Sequence, residues 1–500
     1  MKQTVLDRAI GWVAPGAALR RLRQRAAIDI ATRGYDAAQI GRGNASWFTP
    51  STSGDAENGA AARMLRDRMR DLVRNNPHAA NAISALVTHS VGDGIMPRTK
   101  DKKVMALFNQ WAESCDADGA LNFYGMQALI ARSMFESGDG LVRKRRRKAS
   151  DGLPVPLQLQ AFEPDLIDNT KEGVLPNGRK AIQGIEFDAI GRRVAYWMFT
   201  EHPGNTHFSN YFSIDSKPIP AADIAHAYRK TRTSVRGVPW GTSAMTSLYD
   251  LREYENAELV RKRLEACMVG VVTGGDDDGL GIEPGEEAKR AGVYDADGAV
   301  VERFEAGMFL HAHGGKDIKF SQPAVTDGYD AYKDSMLHTI AAGFQVPHAL
   351  LTGRLDKVNY SSSKIGLENF KKVISEVQWN YLIPMVCDPI WKWFIEAAYT
   401  AGLIDSMDHP VKWSPPRFYS ADPERDVRAL MMEMRAGLKP WSAAIAEMGY
   451  DRDETLAEYE RDNADFDRLG LIFDGDPRKM SQAGQTQQSQ PGEPDGDNTS

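Results

Sequence analysis

The stretch that most limits what this chain can become runs from Asp327 to Ile383. Tyr329, Tyr332, Met336, Ile340 and Phe344 recur every three or four residues, which lines apolar side chains along one face of an α-helix. The pattern stops before Pro347, whose ring disfavours a helical residue ahead of it. From Ser361 the period returns in Phe370, Val373, Ile374, Val377 and Tyr381, until Pro384 and Pro389 interrupt it. Between the two lies Pro347–Tyr360, too broken for a helix and too irregular for a strand. Two sizeable helices joined by a loop with a cationic tip, Lys357, are therefore expected.

Five hundred residues leave room for about three domains of roughly 150 residues each. At 42% hydrophobic residues the chain can bury a substantial core. Its formal charge is -7, so bulk electrostatics do not announce a nucleic-acid binder. Cys115, Cys267 and Cys387 lie far apart with no CxxC pair, which points to a reducing compartment without disulfides or a cysteine zinc site. No apolar run reaches the ~18 residues a membrane helix needs. Asp7 and Arg8 break any secretory apolar region. The expectation is a soluble, cytosolic protein without metal or cofactor.

Met1–Ala27 is amphipathic, with Leu6, Ile10 and Val13 ahead of Arg20, Arg21, Arg23 and Arg25. It reads either as a surface helix with solvated charge or as an arm touching a neighbour or nucleic acid. Gly41–Gly59 is a Gly/Ser/Asn/Thr-rich loop around Trp47, Phe48 and Pro50. Ala60–Val91 is helical, broken at Asn75-Asn76-Pro77, where Pro77 opens the next helix at its first position. Val91–Pro97 is a tight turn, and its Gly92-Asp93-Gly94 lacks the third glycine and preceding strand of a dinucleotide fingerprint. Val104–Ala112 and Tyr124–Ser137 read as helices.

A β-rich region follows. Gly138–Ala149 contains the unbroken cationic run Arg143 to Lys148, which an extended strand divides between two faces. One reading is a solvated hairpin strand facing Glu163, Asp165 and Asp168; the other is a phosphate-contacting patch. Ile182–Phe187 and Val194–Phe199 read as paired strands with a turn at Gly191. Asp223–Tyr228 alternates like another strand, with His226 packed or at the surface rather than a ligand. Thr242–Met268 reads as a helix in which Glu258 with Lys262, and Arg261 with Glu265, are spaced for i,i+4 pairing. Its charge along ~40 Å of length suits packing against other copies of itself. Gly274–Gly285 is a loop and Gly292–Phe320 short strands and turns. Helices around Pro423–Ala436, Pro440–Met448 and Arg452–Arg468 close the chain, followed by a polar tail, Asp474–Ser500, too poor in apolar residues to order.

Three enzymatic signals are weak. Ser361-Ser362-Ser363-Lys364 is formally the SxxK of serine-type hydrolases, but the SDN and KTG elements of that mechanism are missing. Serines at a helix start have a simpler role in satisfying orphan amide donors. His311-Ala312-His313 offers two imidazoles without a third ligand at metal-site spacing. No GxxxxGK[ST] loop exists, so any nucleotide-driven motor belongs to another protein.

The order of short motifs points to a family. Arg70–Pro77 with Val91-Gly92-Asp93-Gly94-Ile95 resembles the N-terminal signature of lambda-type portal proteins of tailed bacteriophages and prophages. Leu157–Gln160 with Glu163-Pro164-Asp165, Arg236–Trp240, Gly343–Pro347 and Val358–Ser362 resemble the same family, in the same order. The resemblance spans Arg63 to Tyr419. The basic run is longer than the family leads one to expect, and the C-terminal tail is individual.

That resemblance implies an α+β portal fold. Residues 1–59 are then an N-terminal arm and loop, and 60–240 a mixed α/β wing. Residues 241–268 and 327–346 are two stem helices around a small α/β clip, 269–326. Residues 347–360 are the tunnel loop, 361–422 a long helix with a return to the wing, 423–473 a helical crown, and 474–500 a disordered tail. The implied role is a homo-oligomeric ring, commonly of twelve subunits, at one capsid vertex of the virion, assembled in the host cytoplasm. Double-stranded DNA passes through it in packaging and ejection. Terminase, head-tail joining proteins and the capsid and scaffolding proteins are its partners, with no membrane and no catalysis. Arg354, Lys357, Asn359 and Tyr360 are the tunnel-loop residues expected to face DNA or hold the loop base, although Arg354 also has Asp356 as a pairing partner. Two other classes compete: a DNA-processing enzyme such as a nuclease or packaging ATPase, and a cytosolic scaffold or adaptor.

Overall fold

The computed structural model describes residues 51–205, 215–267, 271–273, 310–312, 328–354, 360–416, 423–447 and 452–471, with isolated positions before them. Met1–Glu57 and Asn58–Ser500 are separate compact units. The first long helix is α1, Gly54–Asn75, which starts earlier than the Gly/Ser-rich composition up to Gly59 implies. It stops where Asn76 turns extended and caps α2, Pro77–Ser90, with its side chain accepting from the His78 and Ala79 amides. A short strand β1, Met96–Arg98, leads to α3, Lys102–Ala112, and α4, Phe123–Ser137, capped by Asp101 and Asn122.

Gly138, at φ 89, ends α4 and turns the chain straight into β2, Asp139–Arg146. β3 is Leu157–Phe162 and β4 Gly173–Val174. The segment Ile182–Phe187 is not one strand. It is a hairpin between β5, Lys180–Ile182, and β6, Ile185–Phe187. Gln183 and Gly184 both take positive φ, 49 and 81, the turn geometry that suits strand twist. β6 then pairs with β7, Arg193–Phe199, as the alternation predicts. β8 is Ser216–Pro220 and β9 Ile224–Tyr228. Two antiparallel sheets result, one in the order β3-β2-β9 and the other β4-β5-β6-β7-β8.

α5, Met245–Cys267, is joined to β10, Val271–Thr273, which pairs in parallel with β11, Leu310–Ala312. α6, Tyr329–Phe344, packs against α5 through Tyr254, stacked on Tyr329, and a Lys333–Glu255 ion pair of 2.6 Å. On α5 the Glu265 side chain expected to pair with Arg261 lies outside the described residues. Arg261 turns back to Glu258, one turn earlier, and Lys262 lies 5.3 Å from the Tyr329 ring centroid.

α7, His348–Thr352, is followed by α8, Tyr360–Val377. The prolines that seemed to end this helix do not. Gln378–Cys387 continues as a π-helix with Pro384 inside it, and α9, Asp388–Thr400, follows with Pro389 in its first turn. The wider turn shifts the hydrogen-bond pattern, and Pro389 falls where a first-turn amide needs no helical acceptor. β12, Lys412–Ser414, returns to pair with β1, and α10, Pro423–Arg435, α11, Trp441–Glu447, and α12, Arg452–Leu469, complete the described chain.

The main core gathers where α3, α4 and α9 meet. Phe108 touches Trp111, Phe123, Trp391 and Phe394 at centroid separations of 5.2–5.5 Å, two of them edge-on. Trp111, Trp391, Trp393 and Trp413 are buried, and each indole N–H donates to an oxygen: those of Leu157, His409, Ala222 and the Asp388 carboxylate. A second, smaller core of Leu141, Ile167, Ile185, Tyr196, Met198, Ile219 and Ile224 lies between the two sheets.

Candidate functional site

The loop singled out by sequence begins as structure. α6 ends at Phe344, and Gln345 takes the left-handed conformation at φ 57, with its amide bonded to the Ala341 and Ala342 carbonyls. Val346 is buried, and Pro347 precedes the single turn of α7, a helix where Pro347–Tyr360 was expected to be irregular. The turn forms because Thr352 Oγ1 donates to the His348 carbonyl and Gly353, at φ 69, closes it through the Ala349 carbonyl. Leu351 is buried, so α7 is held by packing as well.

The anchor is α2. Asn81 Nδ2 donates to the carbonyls of Leu350 at 2.5 Å and Leu351 at 3.0 Å. At the other end of α2, the His89 ring meets Phe370 of α8 edge-on at 5.1 Å, and Gln378 donates to the Ser90 carbonyl at 2.9 Å. Both flanks of residues 355–359 are therefore tied to one helix, whose inner face is buried. Trp240 adds a third tie, donating from Nε1 to the Phe344 carbonyl at 2.9 Å. Gly241 leaves room for Phe344, since a β-carbon there would stand 2.3 Å from the ring.

Of the expected DNA-facing residues, Arg354 stands exposed just beyond Gly353, and its amide donates to Thr352 Oγ1. Lys357 and Asn359 lie outside the described residues, and Tyr360 is described only as the first backbone position of α8. His311 and His313 likewise lie where side chains are not described. Lys364 of the SxxK run reaches Asp426 on α10 at 3.5 Å.

Two cations of the basic run pair with acids other than those expected. Lys144 is buried against Glu396 of α9 at 2.5 Å, and Arg146 forks onto Asp223 at 2.9 and 3.0 Å. Arg147 donates to Gln158. Asp165 is taken instead by Arg66 and Arg70 of α1, each at 2.8 Å, and both arginines also donate to Ser137. Asp168 accepts from Ser216 and Thr170.

A second concentration of polar chemistry escaped the sequence reading. Asp139, fully buried at the start of β2, accepts from His226 Nε2 at 3.0 Å, the Gly237 amide at 2.9 Å and Arg236 at 2.8–2.9 Å. Burial alone would raise its pKa, but the Arg236 charge, the His226 contact and Arg66 outweigh that and hold the carboxyl far below its usual range. Burial lowers His226 from 6.5 to about 4, against the pull of Asp139. The ring is therefore neutral at pH 7, with its proton on the nitrogen facing Asp139 and Nδ1 accepting from Arg193 at 3.0 Å. A His–Asp couple superficially suits general-base catalysis. Here the basic nitrogen is already occupied by a guanidinium, with Tyr196 beside it at 3.3 Å. The couple is a brace, and its signal was hidden because Asp139, His226 and Arg236 come from separated strands and a loop.

Comparison with known proteins settles the family. The profile of phage portal proteins of the lambda family matches residues 40–378, more than half of the chain. The chain belongs to the lambda family of phage portal proteins. Among relatives of this portal chain, the probable portal protein of Halomonas phage phiHAP-1 is 25% identical, over 88% of each chain. Portal protein B of Escherichia phage lambda is 22% identical, over 85% of this chain and 88% of its own. Among solved structures, the neck of a native gene transfer agent particle aligns with 80% of this portal chain and 95% of its own, at 15% identity and a TM-score of 0.44. An HK97-family portal protein from Corynebacterium diphtheriae aligns at 12% identity and 0.30, over 73% and 96%.

Proposed function

We propose that this portal chain is one subunit of a ring at a capsid vertex, through which double-stranded DNA is packaged and later ejected. The ring docks terminase during filling and head-tail joining proteins afterwards, and the chain itself catalyses no reaction. In this reading residues 60–240 are the wing, 241–268 and 327–346 the stem helices, 269–326 the clip and 423–473 the crown. Residues 347–360 form the loop that meets DNA. The observation carrying the proposal is the common anchorage of α7 and α8 on α2. A rigid helix that holds both ends of a short segment lets its tip touch a moving polymer without loosening the subunit.

Arg354 and Lys357 are the cations offered to passing phosphates, with Asn359 and Tyr360 at the loop base. Few contacts of this kind are weak and salt-sensitive, which suits a surface that must release DNA at every step. Negative-stain microscopy of the purified protein tests the ring: a central hole of about duplex width is expected, and particles without one would refute it. The loop is tested by the packaged DNA length per particle in the Arg354→Ala/Lys357→Ala double variant, at wild-type capsid yield. Shortened or leaking genomes are expected; full-length retention would remove the loop from the proposal.

A further inference from the structure

The reversal between α6 and α7 places two histidines on top of each other. His338 lies near the end of α6, and the left-handed Gln345 turns the chain so that His348, the first residue of α7, comes back over it. Their rings are 3.9 Å apart and 19° from parallel. Asp334, one helical turn before His338, brings Oδ1 to 3.5 Å from His348 Nε2. One nitrogen or oxygen from each of the three lies within 4.8 Å of the others.

Among the described residues His348 Nε2 is buried without an aligned hydrogen bond, even with Asp334 so close. Two imidazoles and a carboxylate are the donor set that suits zinc and its neighbours, with calcium and magnesium preferring oxygen alone.

We propose that Asp334, His338 and His348 bind a divalent transition metal ion, zinc or a close relative, which braces α6 against α7. A tetrahedral ion at metal–ligand distances of ~2.0–2.2 Å brings its donors to roughly 3.3 Å from one another. His338 is exposed, so its ring can turn out of the stack to reach that spacing. The fourth position is left to water. The ion would stiffen the segment leading to residue 354, at the entry to the loop.

The site does not rest on the channel reading, since titration reports on it whether or not rings form. Full-length, untagged protein is stripped with a chelator and titrated with zinc in competition with a chromophoric chelator; cobalt serves as the optical probe. One zinc per chain is expected at this site. His338→Ala and Asp334→Asn, at an exposed and a half-buried position on α6, should each weaken binding at least ~10-fold, since loss of even an outer partner of a ligand costs that much. Circular dichroism confirms that the variants fold. No zinc binding by the wild type, or a smaller loss in either variant, overturns the site. Added zinc should also slow amide exchange across residues 345–352, and binding without that slowing overturns the brace.

Discussion

Replacing Asp139 with Asn tests whether the wing is held by its buried charges. The substitution keeps the shape and removes the charge, leaving Arg236, 1% exposed, without a counterion. Arg236 would still donate to Asn169 at 2.5 Å and to the Pro164 carbonyl at 3.1 Å. The new amide cannot serve all the donors that the carboxylate accepts. One side meets the Arg236 N–H groups, the other His226 and Gly237, so one set must face another N–H. Breaking a buried ion pair from one side costs about 3–5 kcal/mol. At about 2 °C per kcal/mol for a large domain, Tm should fall by roughly 6–10 °C.

Thermal melting by circular dichroism at fixed protein concentration measures this. The double variant Asp139→Leu/Arg236→Met separates the charge from the rest, because removing both partners leaves no uncompensated ion. It should recover at least half of the loss. If Asp139→Asn melts within about 2 °C of wild type, or the double variant loses the sum of its singles, the reasoning fails.

Three further outcomes are expected. His226 contributes a pH dependence, since its pKa falls from 6.5 to about 4 on folding. Above 6.5 neither state is protonated there; as pH falls through that window the unfolded chain takes a proton the native chain refuses, and about 3 kcal/mol of stability is lost by pH 4. His226→Gln should therefore show a smaller drop in Tm between pH ~7 and ~4.5 than wild type. Asn81→Ala should cost about 1–2 kcal/mol of local stability, two hydrogen bonds' worth, seen as faster amide exchange in α7 with little change in global Tm. Deleting Gly475–Ser500 should leave assembly and Tm nearly unchanged, because that segment has almost nothing to bury; failure of the shortened chain to assemble would assign it a structural part.

Long amphipathic helices were legible because their period is a local property. Capping was legible too: Asn76-Pro77 marks the α1–α2 break by the chemistry of two residues. The β5–β6 hairpin was not, because Gln183 carries a left-handed conformation that glycine usually signals. The helix through Pro384 was misread for a tertiary reason. Leu382, Ile383, Val386 and Cys387 are buried there, and their packing sustains a π-turn that a lone helix would not adopt. Pairing partners were the least legible, since Lys144 found Glu396 across 252 positions. The loop's identity as a functional candidate came from its place between two helices, but its hold on Asn81 belongs to the folded state alone.

The fate of the cationic run bears directly on how a channel subunit would treat DNA. A strand of free cations facing a duplex would add one phosphate contact for each, and every added contact steepens both affinity and its salt dependence. Translocation would then have to break them all at each step. Here Lys144 is neutralised by Glu396 and Arg146 by Asp223, while Arg66 and Arg70 converge on Asp165. The Lys144 and Arg146 pairs present little net charge to a distant phosphate, and Glu163, 3.2 Å from Arg70, adds a second carboxylate beside Asp165. The contrast is testable in one assay: Arg146→Ala removes a pair whose cation is exposed and whose carboxylate is mostly buried, and packaged DNA length should stay at the wild-type value. The Arg354→Ala/Lys357→Ala variant should shorten it. Equal defects in both would mean that DNA meets the strand and not the loop.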